Sequence, residues 1–378
     1  MAPNGRADES AQGPGNKPAA PSRIPHCTSL RSWESTLCES MASATGTSRG
    51  SEDIADRDDA SSVASLPGSD AGYRDPSQTL IVLDWDDTLF PTGEFIDRWG
   101  VKCPEEGQYE PADEAQARAL QDWREALTEF IEVACILSDR CVIITNSRRP
   151  WVSDCLDRFA PDLKPLFERS AKAPRVVYTN ERLRPTRFRA SQCMNLRPVK
   201  DRHLDLTQVT PEEVQEECTH VKYNAMKQEA AAFYASYPNQ SWKNILSIGD
   251  MPFERDALQE LAFRRVAPSR ERLRAKAVVE RTTPSISELA LRLRCSAALL
   301  PAYVAFDGDL DLNFATMSEQ EDPLAATAAA LWLPEIADVP ISRHAWGRGE
   351  APTGEEEVEK AERAVLELAV LVHREVFG

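Results

Sequence analysis

The chain has 378 residues, of which 44 are Lys or Arg and 61 are Asp or Glu, so its formal net charge is −17. This acidic balance disfavours a protein that coats duplex nucleic acid, because such proteins need a basic face that displaces counterions. The nine cysteines form no C-x-x-C pair and the five histidines have no zinc-type spacing, which disfavours a zinc enzyme. Scattered thiols of this kind are typical of a reducing, intracellular compartment.

Residues 1–77 are rich in Ser, Ala, Gly, Pro and Asp and have almost no periodic apolar pattern. Such a segment cannot bury enough apolar surface to offset its chain entropy, so we predict that it is disordered. Its start has no apolar signal-peptide region, and no later apolar stretch reaches the ~20 residues that a membrane-spanning helix needs. We therefore expect a cytoplasmic protein without a membrane partner.

Residues 78–303 contain a regular alternation of strands and helices. Continuous apolar runs predict five buried strands, at 79–84, 141–147, 175–179, 244–250 and 275–280. Apolar residues at helical spacing predict helices at 113–137, 151–167 (broken at Pro161), 222–237, 254–263 and 285–299. This alternation predicts an α/β fold of three layers, a Rossmann-like parallel sheet with helices on both faces.

Residues 304–378 follow as an acidic and then alanine-rich region. The region ends in a predicted helix at 355–376, which has a stripe of Val, Ala and Leu residues along one side. Such a stripe packs either on the core of the same chain or on another subunit. We expect the first arrangement, and the sequence leaves the oligomeric state open.

The first predicted strand ends in the run Asp84-Trp85-Asp86-Asp87-Thr88. The alternation of side chains along a strand places Asp84 and Asp86 on the same side. Two carboxylates in that position repel each other unless a cation lies between them, and Mg²⁺ is the hard cation that prefers oxygen ligands. Capping of the following turn would explain Asp87 and Thr88, but it does not explain the pair.

Two further strand ends carry polar residues where parallel sheets place their active sites. Thr145, Asn146 and Ser147 end the second strand and offer hydroxyl and N–H groups to an anion. Asp250 ends the fourth strand and is followed by Glu254. Each of these two segments is also compatible with an ordinary turn at the start of a helix.

Taken together, the strand ends resemble the haloacid dehalogenase (HAD) superfamily of phosphohydrolases. Asp84-x-Asp86-x-Thr88 resembles its first motif, and Asp250-x-x-x-Glu254 after a glycine resembles its fourth. Many members have Asp where this chain has Glu254. The resemblance covers 78–303 and implies a sheet order of 5-4-1-2-3, with substrate choice set by inserted segments.

The second and third motifs of the superfamily are a threonine and a lysine. Thr145 resembles the first of these, and Lys222 fits the lysine because it opens the helix that leads to the fourth strand. Lys227 is the alternative. The resemblance implies that Thr145, Asn146 and the lysine hold the phosphoryl oxygens of the substrate.

The resemblance also implies a mechanism. Asp84 would attack phosphorus to form an aspartyl-phosphate, and Asp86 would protonate the leaving oxygen and later activate water. Mg²⁺ would be held by Asp84, Asp86 (through its main-chain carbonyl) and Asp250. Glu254 and Thr88 would support these ligands from behind.

Two segments correspond to the positions at which the superfamily carries insertions. Residues 90–113 form a short flap after the first motif, and residues 181–220 form a small cap or loop. The second is locally basic, with seven Lys or Arg residues, namely Arg182, Arg184, Arg187, Arg189, Arg197, Lys200 and Arg202. Arginines suit phosphate oxygens, but a solvated loop paired with the acidic remainder explains them equally simply.

The sequence therefore predicts a Mg²⁺-dependent phosphatase that acts on a phosphorylated small molecule or a phosphoprotein. Two alternatives stay open. One is a phosphomutase, and the other is a non-catalytic scaffold whose two end regions bind partners. The substrate is not identified by any residue pattern.

Overall fold

The computed structural model describes residues 72–102, 107–168, 173–182, 210–236, 242–265 and 272–378. Residues 1–71 of the predicted disordered region lie outside the described residues, as does 183–209, which holds most of the predicted insert and its basic residues. Residues 72–77, which belong to the segment predicted as disordered, are part of the described fold. The Tyr73 hydroxyl donates to the carbonyl of Ala305, and the Arg274 guanidinium carbon lies 3.9 Å from the centroid of the Tyr73 ring.

One parallel sheet forms the centre of the fold. Its strands are β1 (Thr79–Leu83), β2 (Arg140–Thr145), β3 (Arg175–Tyr178), β4 (Asn244–Gly249), β5 (Arg274–Val279) and β6 (Leu310–Asn313). They lie in the order β3-β2-β1-β4-β5-β6, and every pairing is parallel. The predicted α/β class and the order of its five strands are confirmed. The sixth strand was not predicted, because its four residues alternate between buried and exposed or half-buried positions rather than forming an apolar run.

Helices cover both faces of the sheet. They are α1 (Glu114–Leu137), α2 (Trp151–Phe159), α3 (Lys164–Glu168), α4 (Pro211–Ala235), α5 (Pro252–Arg264), α6 (Ile286–Ala305), α7 (Pro323–Leu331) and α8 (Glu355–Phe377). The helix α4 begins at Pro211, well before the predicted start at Lys222. Thr210 and Glu213 form a capping box there. The glutamates of the first turns leave few apolar residues, so the apolar pattern does not mark this part of the helix.

The side chains of β1 show how the core is divided. Ile81 and Leu83 belong to a cluster on one face, which includes residues of α1, α6 and α8. Leu80 and Val82 belong to the cluster on the other face, with α4 and α5. This alternation is the expected consequence of side chains that point to opposite faces of a strand. All five residues of β1 and all six of β4 are buried, and these two strands lie in the middle of the sheet.

The C-terminal helix packs on the core of its own chain, as predicted. Val365, Leu368 and Val372 of α8 are buried in the same cluster as α6. In the part of the chain that the structure describes, there is no helix with the length and apolar character needed to cross a bilayer.

The segment predicted as a flap after β1 is anchored in the core by aromatic residues. Phe90 and Phe95 are completely buried, and Phe95 stacks on Phe159 of α2 at 4.2 Å between ring centroids. Trp123 of α1 donates its indole N–H to the carbonyl of Leu89 at 2.9 Å. Residues 103–106 of this segment lie outside the described residues. These contacts hold the loop after β1 firmly against α1 and α2.

Candidate active site

The carboxyl ends of three neighbouring strands bring the predicted residues together. Since β2, β1 and β4 are adjacent and parallel, their ends meet at one edge of the sheet. Asp84 directly follows β1, Thr145 ends β2 and Asp250 directly follows β4. The backbone N–H of Asp84 still donates to the carbonyl of Ile248 at 2.9 Å, which keeps the first carboxylate in register with β4.

Lys222 joins this edge from α4. Its Nζ lies 2.5 Å from Asp84 Oδ1 and donates to the carbonyl of Ile144 at 2.9 Å. The same ammonium forms an ion pair with Glu254 Oε1, and Lys222 is only 1 % exposed. Lys227, the alternative lysine, is exposed and lies beside the ring of Tyr223. Of the two candidates, Lys222 is therefore the lysine at the strand ends.

Gly249 allows Glu254 to reach this cluster. A Cβ atom at Gly249 would stand 2.6 Å from Cγ and 2.8 Å from Cδ of Glu254, which is closer than carbon atoms can approach. A glycine is required at position 249 because the side chain of Glu254, on α5, folds back against the end of β4. Glu254 is 2 % exposed, so its carboxylate is a buried partner of Lys222.

The cluster carries more buried negative charge than Lys222 can balance. Burial raises the pKa of Asp84 to about 7, with Lys222 lowering it and the carboxylates of Glu254 and Asp86 raising it. Burial, together with repulsion from Asp84 and Glu254, holds the pKa of Asp250 well above its usual range. Burial alone would lower the pKa of Lys222, but its two carboxylate partners outweigh this and raise it. The ammonium is therefore a permanent charge of the site.

This surplus of carboxylate oxygen is suited to a hard divalent cation. Asp84 and Asp250 are each 6 % exposed, and the charge of Asp84 raises the pKa of Asp250. A cation between them would relieve that repulsion. Within the described ranges, no three side chains of His, Cys, Asp or Glu are gathered as metal ligands. The set predicted for Mg²⁺ uses two carboxylates and the main-chain carbonyl of Asp86, which requires no third carboxylate.

The carboxylate of Asp86 lies within a ring of four hydrogen-bond donors. Its Oδ1 accepts from Thr92 Oγ1 at 2.7 Å and from Trp151 Nε1 at 2.8 Å. Its Oδ2 accepts from Thr145 Oγ1 at 3.1 Å and from Ser147 Oγ at 2.6 Å. With two donors on each oxygen, the carboxylate has a fixed orientation at the half-buried rim of the site.

The predicted phosphate-binding residues of β2 have other partners. Thr145 is completely buried, and besides its bond to Asp86 its hydroxyl accepts from the N–H of Ser147 at 3.0 Å. Asn146 Oδ1 accepts from the hydroxyl of Thr179. The hydroxyl of Thr145 can turn toward a ligand only by giving up Asp86, whereas the Asn146 amide is held toward β3.

Asp87 and Thr88 lie behind the strand end. Asp87 has a positive φ of 55° and accepts from the N–H of Gly93 at 2.9 Å, which closes the turn after β1. Burial raises the pKa of Asp87 to about 6, opposed by that hydrogen bond. The Thr88 hydroxyl is buried and has no hydrogen-bond partner among the described residues. This geometry matches the alternative role predicted for Asp87, which is to cap the local turn.

Two residues of the site were missed in the sequence. Thr92 and Trp151 both bind Asp86, and neither belongs to a strand end. Thr92 follows the first motif closely, so its position was a weak signal. Trp151 lies 65 positions after Asp86 at the start of α2, and no local pattern connects the two residues.

Comparisons of the chain with protein-family models, with curated proteins and with solved structures find no match.

Proposed function

We propose that this protein is a Mg²⁺-dependent phosphate monoester hydrolase that acts through an aspartyl-phosphate. The observation that carries the proposal is the contact of Lys222 with Asp84, beside Glu254 and Asp250, at the carboxyl edge of the sheet. A buried ammonium between two carboxylates is an expensive arrangement for a protein that only needs to fold. It is suited to a site that holds a nucleophile beside a dianionic phosphoryl group.

The residues have the following roles in this proposal. Lys222 holds Oδ1 of Asp84, which leaves the other oxygen to attack the phosphorus of the ester. As the bond from phosphorus to the leaving oxygen breaks, Asp86 gives that oxygen a proton. Asp86 then takes a proton from water, whose oxygen attacks the aspartyl-phosphate. The bond from phosphorus to Asp84 breaks, which releases inorganic phosphate and restores the carboxylate of Asp84 and the protonated carboxyl group of Asp86.

The remaining charges serve the phosphoryl group. Asp84, Asp250 and the carbonyl of Asp86 would hold Mg²⁺, which neutralises charge on the transferred group when it is bound. Lys222 stays charged beside the phosphorylated Asp84 because its pKa is raised by its carboxylate partners. Glu254 keeps this ammonium in place. The substrate class within phosphate monoesters is left open by these residues.

The test is the release of phosphate from p-nitrophenyl phosphate, with and without Mg²⁺. We expect Mg²⁺-dependent release by the wild type and none by Asp84→Asn, because an amide of the same shape does not attack phosphorus readily. Asp338→Asn changes an exposed carboxyl in the same way and is the matched control. Unchanged release by Asp84→Asn would overturn the proposed nucleophile.

If no phosphate is released, a binding measurement distinguishes an enzyme that needs a specific substrate from a protein that has no phosphoryl-binding site. Mg²⁺ with beryllofluoride, which imitates a phosphoryl group on a carboxylate, should raise the melting temperature of the wild type, because a ligand of the folded state stabilises it. The increase should be lost in Asp84→Asn and reduced in Asp250→Asn. A folded wild type that shows neither phosphate release nor this stabilisation would contradict the proposed function.

A further inference from the structure

The indole of Trp151 makes a different kind of contact with Asp86 than its three neighbours do. Thr92, Thr145 and Ser147 contact the carboxylate through hydroxyls, which can either donate or accept. The indole N–H of Trp151 can only donate, and it lies 2.8 Å from Oδ1. Oδ1 is therefore held as an acceptor at all times. When Asp86 carries a proton, that proton belongs on Oδ2.

Oδ2 is also the oxygen that faces the neighbouring strand end. It contacts Thr145 at the end of β2 and Ser147 just beyond it. Both hydroxyls can turn to accept when Oδ2 carries a proton, so the protonated form of Asp86 keeps its partners there. The two oxygens of Asp86 thus have separate tasks, with Oδ1 anchored and Oδ2 able to exchange a proton.

The surroundings of Trp151 hold the indole in this position. Trp151 is the first residue of α2, and its ring meets Phe90 edge-on, with 6.0 Å between the ring centroids. Phe90 is completely buried and stacks on Trp85 of the first motif at 5.7 Å. The ring is thus packed against the loop that carries Asp86, and its N–H has one direction in which to point.

We infer that Trp151 is a positioning residue for the general acid and base, which fixes Asp86 by Oδ1 and directs Oδ2 toward the leaving oxygen. This inference rests on the proposed hydrolase function. It assigns to Trp151 no contact with the substrate. Its contribution to the rate lies in the proton transfer alone, because the attack by Asp84 does not involve the indole.

Trp123 provides a matched control for this inference. Its ring also meets Phe90 edge-on, at 5.8 Å between centroids, and its indole N–H also makes one hydrogen bond within the loop after β1. That bond ends on the carbonyl of Leu89 instead of on Asp86. Trp151→Phe and Trp123→Phe therefore each remove an indole N–H from an aromatic cluster, and only the first reaches the carboxylate.

The test compares two phosphate esters that differ in their need for a proton. Phenyl phosphate has a poor leaving group that requires protonation, and 2,4-dinitrophenyl phosphate has a good one that does not. In Trp151→Phe we expect kcat/KM, which covers the steps up to release of the leaving group, to fall by about tenfold or more on phenyl phosphate, a part of the ~10²–10⁴-fold that a general acid contributes. On 2,4-dinitrophenyl phosphate kcat/KM should stay within about threefold of the wild type, because this ester needs no proton in that step. The later hydrolysis of the aspartyl-phosphate, in which Asp86 is the base, is common to both esters and does not enter kcat/KM.

The control variant Trp123→Phe and Trp151→Phe should differ in how they affect the two esters. Trp123→Phe should affect both esters equally, since it changes only packing and a main-chain contact. An equal loss on both esters in Trp151→Phe, or the same pattern in the two variants, would overturn the positioning role while the phosphatase stands. A folded wild type that hydrolyses neither ester and is not stabilised by Mg²⁺ with beryllofluoride would overturn the proposed function, and the inference with it.

Discussion

Lys222 Nζ lies 2.5 Å from Asp84 Oδ1, although the two residues are 138 positions apart in the sequence. The contact joins α4, which lies on one face of the sheet, to the end of β1 in the middle of the sheet. Within the described residues, Lys222 is also the only cation that forms an ion pair with Asp84 or Glu254. Its loss would leave two buried carboxylates without a counter-charge.

Lys222→Met should therefore destabilise the protein strongly. Removal of one partner from a buried ion pair costs about 3–5 kcal/mol, because the remaining charge is left uncompensated. The free energy of unfolding is measured by urea titration followed by circular dichroism. Lys227→Met removes an exposed lysine of the same helix and should change it by no more than about 0.5 kcal/mol. Equally small changes in the free energy of unfolding of the two variants would show that the ion pair of Lys222 is not buried in solution.

Lys276 should give the protein a rise in stability at alkaline pH. It is completely buried in β5 and donates to the carbonyl of Val304 at 2.9 Å. Burial, and after it the nearby charge of Arg274, holds the pKa of Lys276 well below its usual range. At a pH between this lowered pKa and the pKa of about 10.4 that a lysine has in the unfolded chain, the unfolded chain binds more protons than the folded chain. Stability from this group therefore increases as the pH rises through that interval.

The variant Lys276→Met tests this sign. The carbonyl of Val304 still accepts from Asn244 Nδ2 at 3.1 Å, so it is not left without a donor. We expect the Met variant to have the higher free energy of unfolding at about pH 7. This difference should shrink toward about pH 10, as Lys276 loses its charge in the unfolded wild type. Urea unfolding of both proteins across this range measures the difference. Lys360→Met, at an exposed position of α8, is the control, and an advantage that grows with pH would contradict the assignment.

The helix α8 should contribute to the core of this chain. Leu368→Ala removes a completely buried side chain and should lower the free energy of unfolding by about 2–5 kcal/mol. Val370 is 61 % exposed on the same helix, and Val370→Ala should cost no more than about 0.5 kcal/mol. Chemical denaturation of the two variants gives the comparison. A small effect of Leu368→Ala would mean that α8 does not pack on the core in solution.

The predictable part of the fold depended on local patterns. Apolar runs marked β1, β2, β4 and β5 because a strand in the interior of the sheet is covered on both faces and is apolar through most of its length. The edge strand β3 was also marked, by Val176, Val177 and Tyr178, although it is more exposed. The edge strand β6 escaped because Asp311 interrupts its apolar residues. The first eleven residues of α4 escaped because their apolar residues Val214, Cys218 and Val221 are few and lie among glutamates, after a capping box at Thr210 and Glu213. A continuous apolar run is thus easier to recognise than a sparse helical stripe or a short strand interrupted by a charge.

The predictable part of the site was the set of residues that end a strand. Asp84, Thr145 and Asp250 were found because parallel strands place their carboxyl ends at one edge. Lys222 was one of two candidates, since a lysine on a helix has no local sign that it is buried. Trp151 was not found at all, because its contact with Asp86 depends on the packing of α2 against the loop after β1.

The sequence by itself determined the alternation of strands and helices, the acidic strand end and the positions at which polar residues meet the sheet edge. These follow from short-range rules, namely the periodicity of side chains and the burial of apolar runs. Only the tertiary structure decided which lysine pairs with Asp84 and which four donors hold Asp86. Such contacts join residues that are far apart in the chain, and they depend on how helices pack across the sheet. Local sequence patterns do not encode that packing.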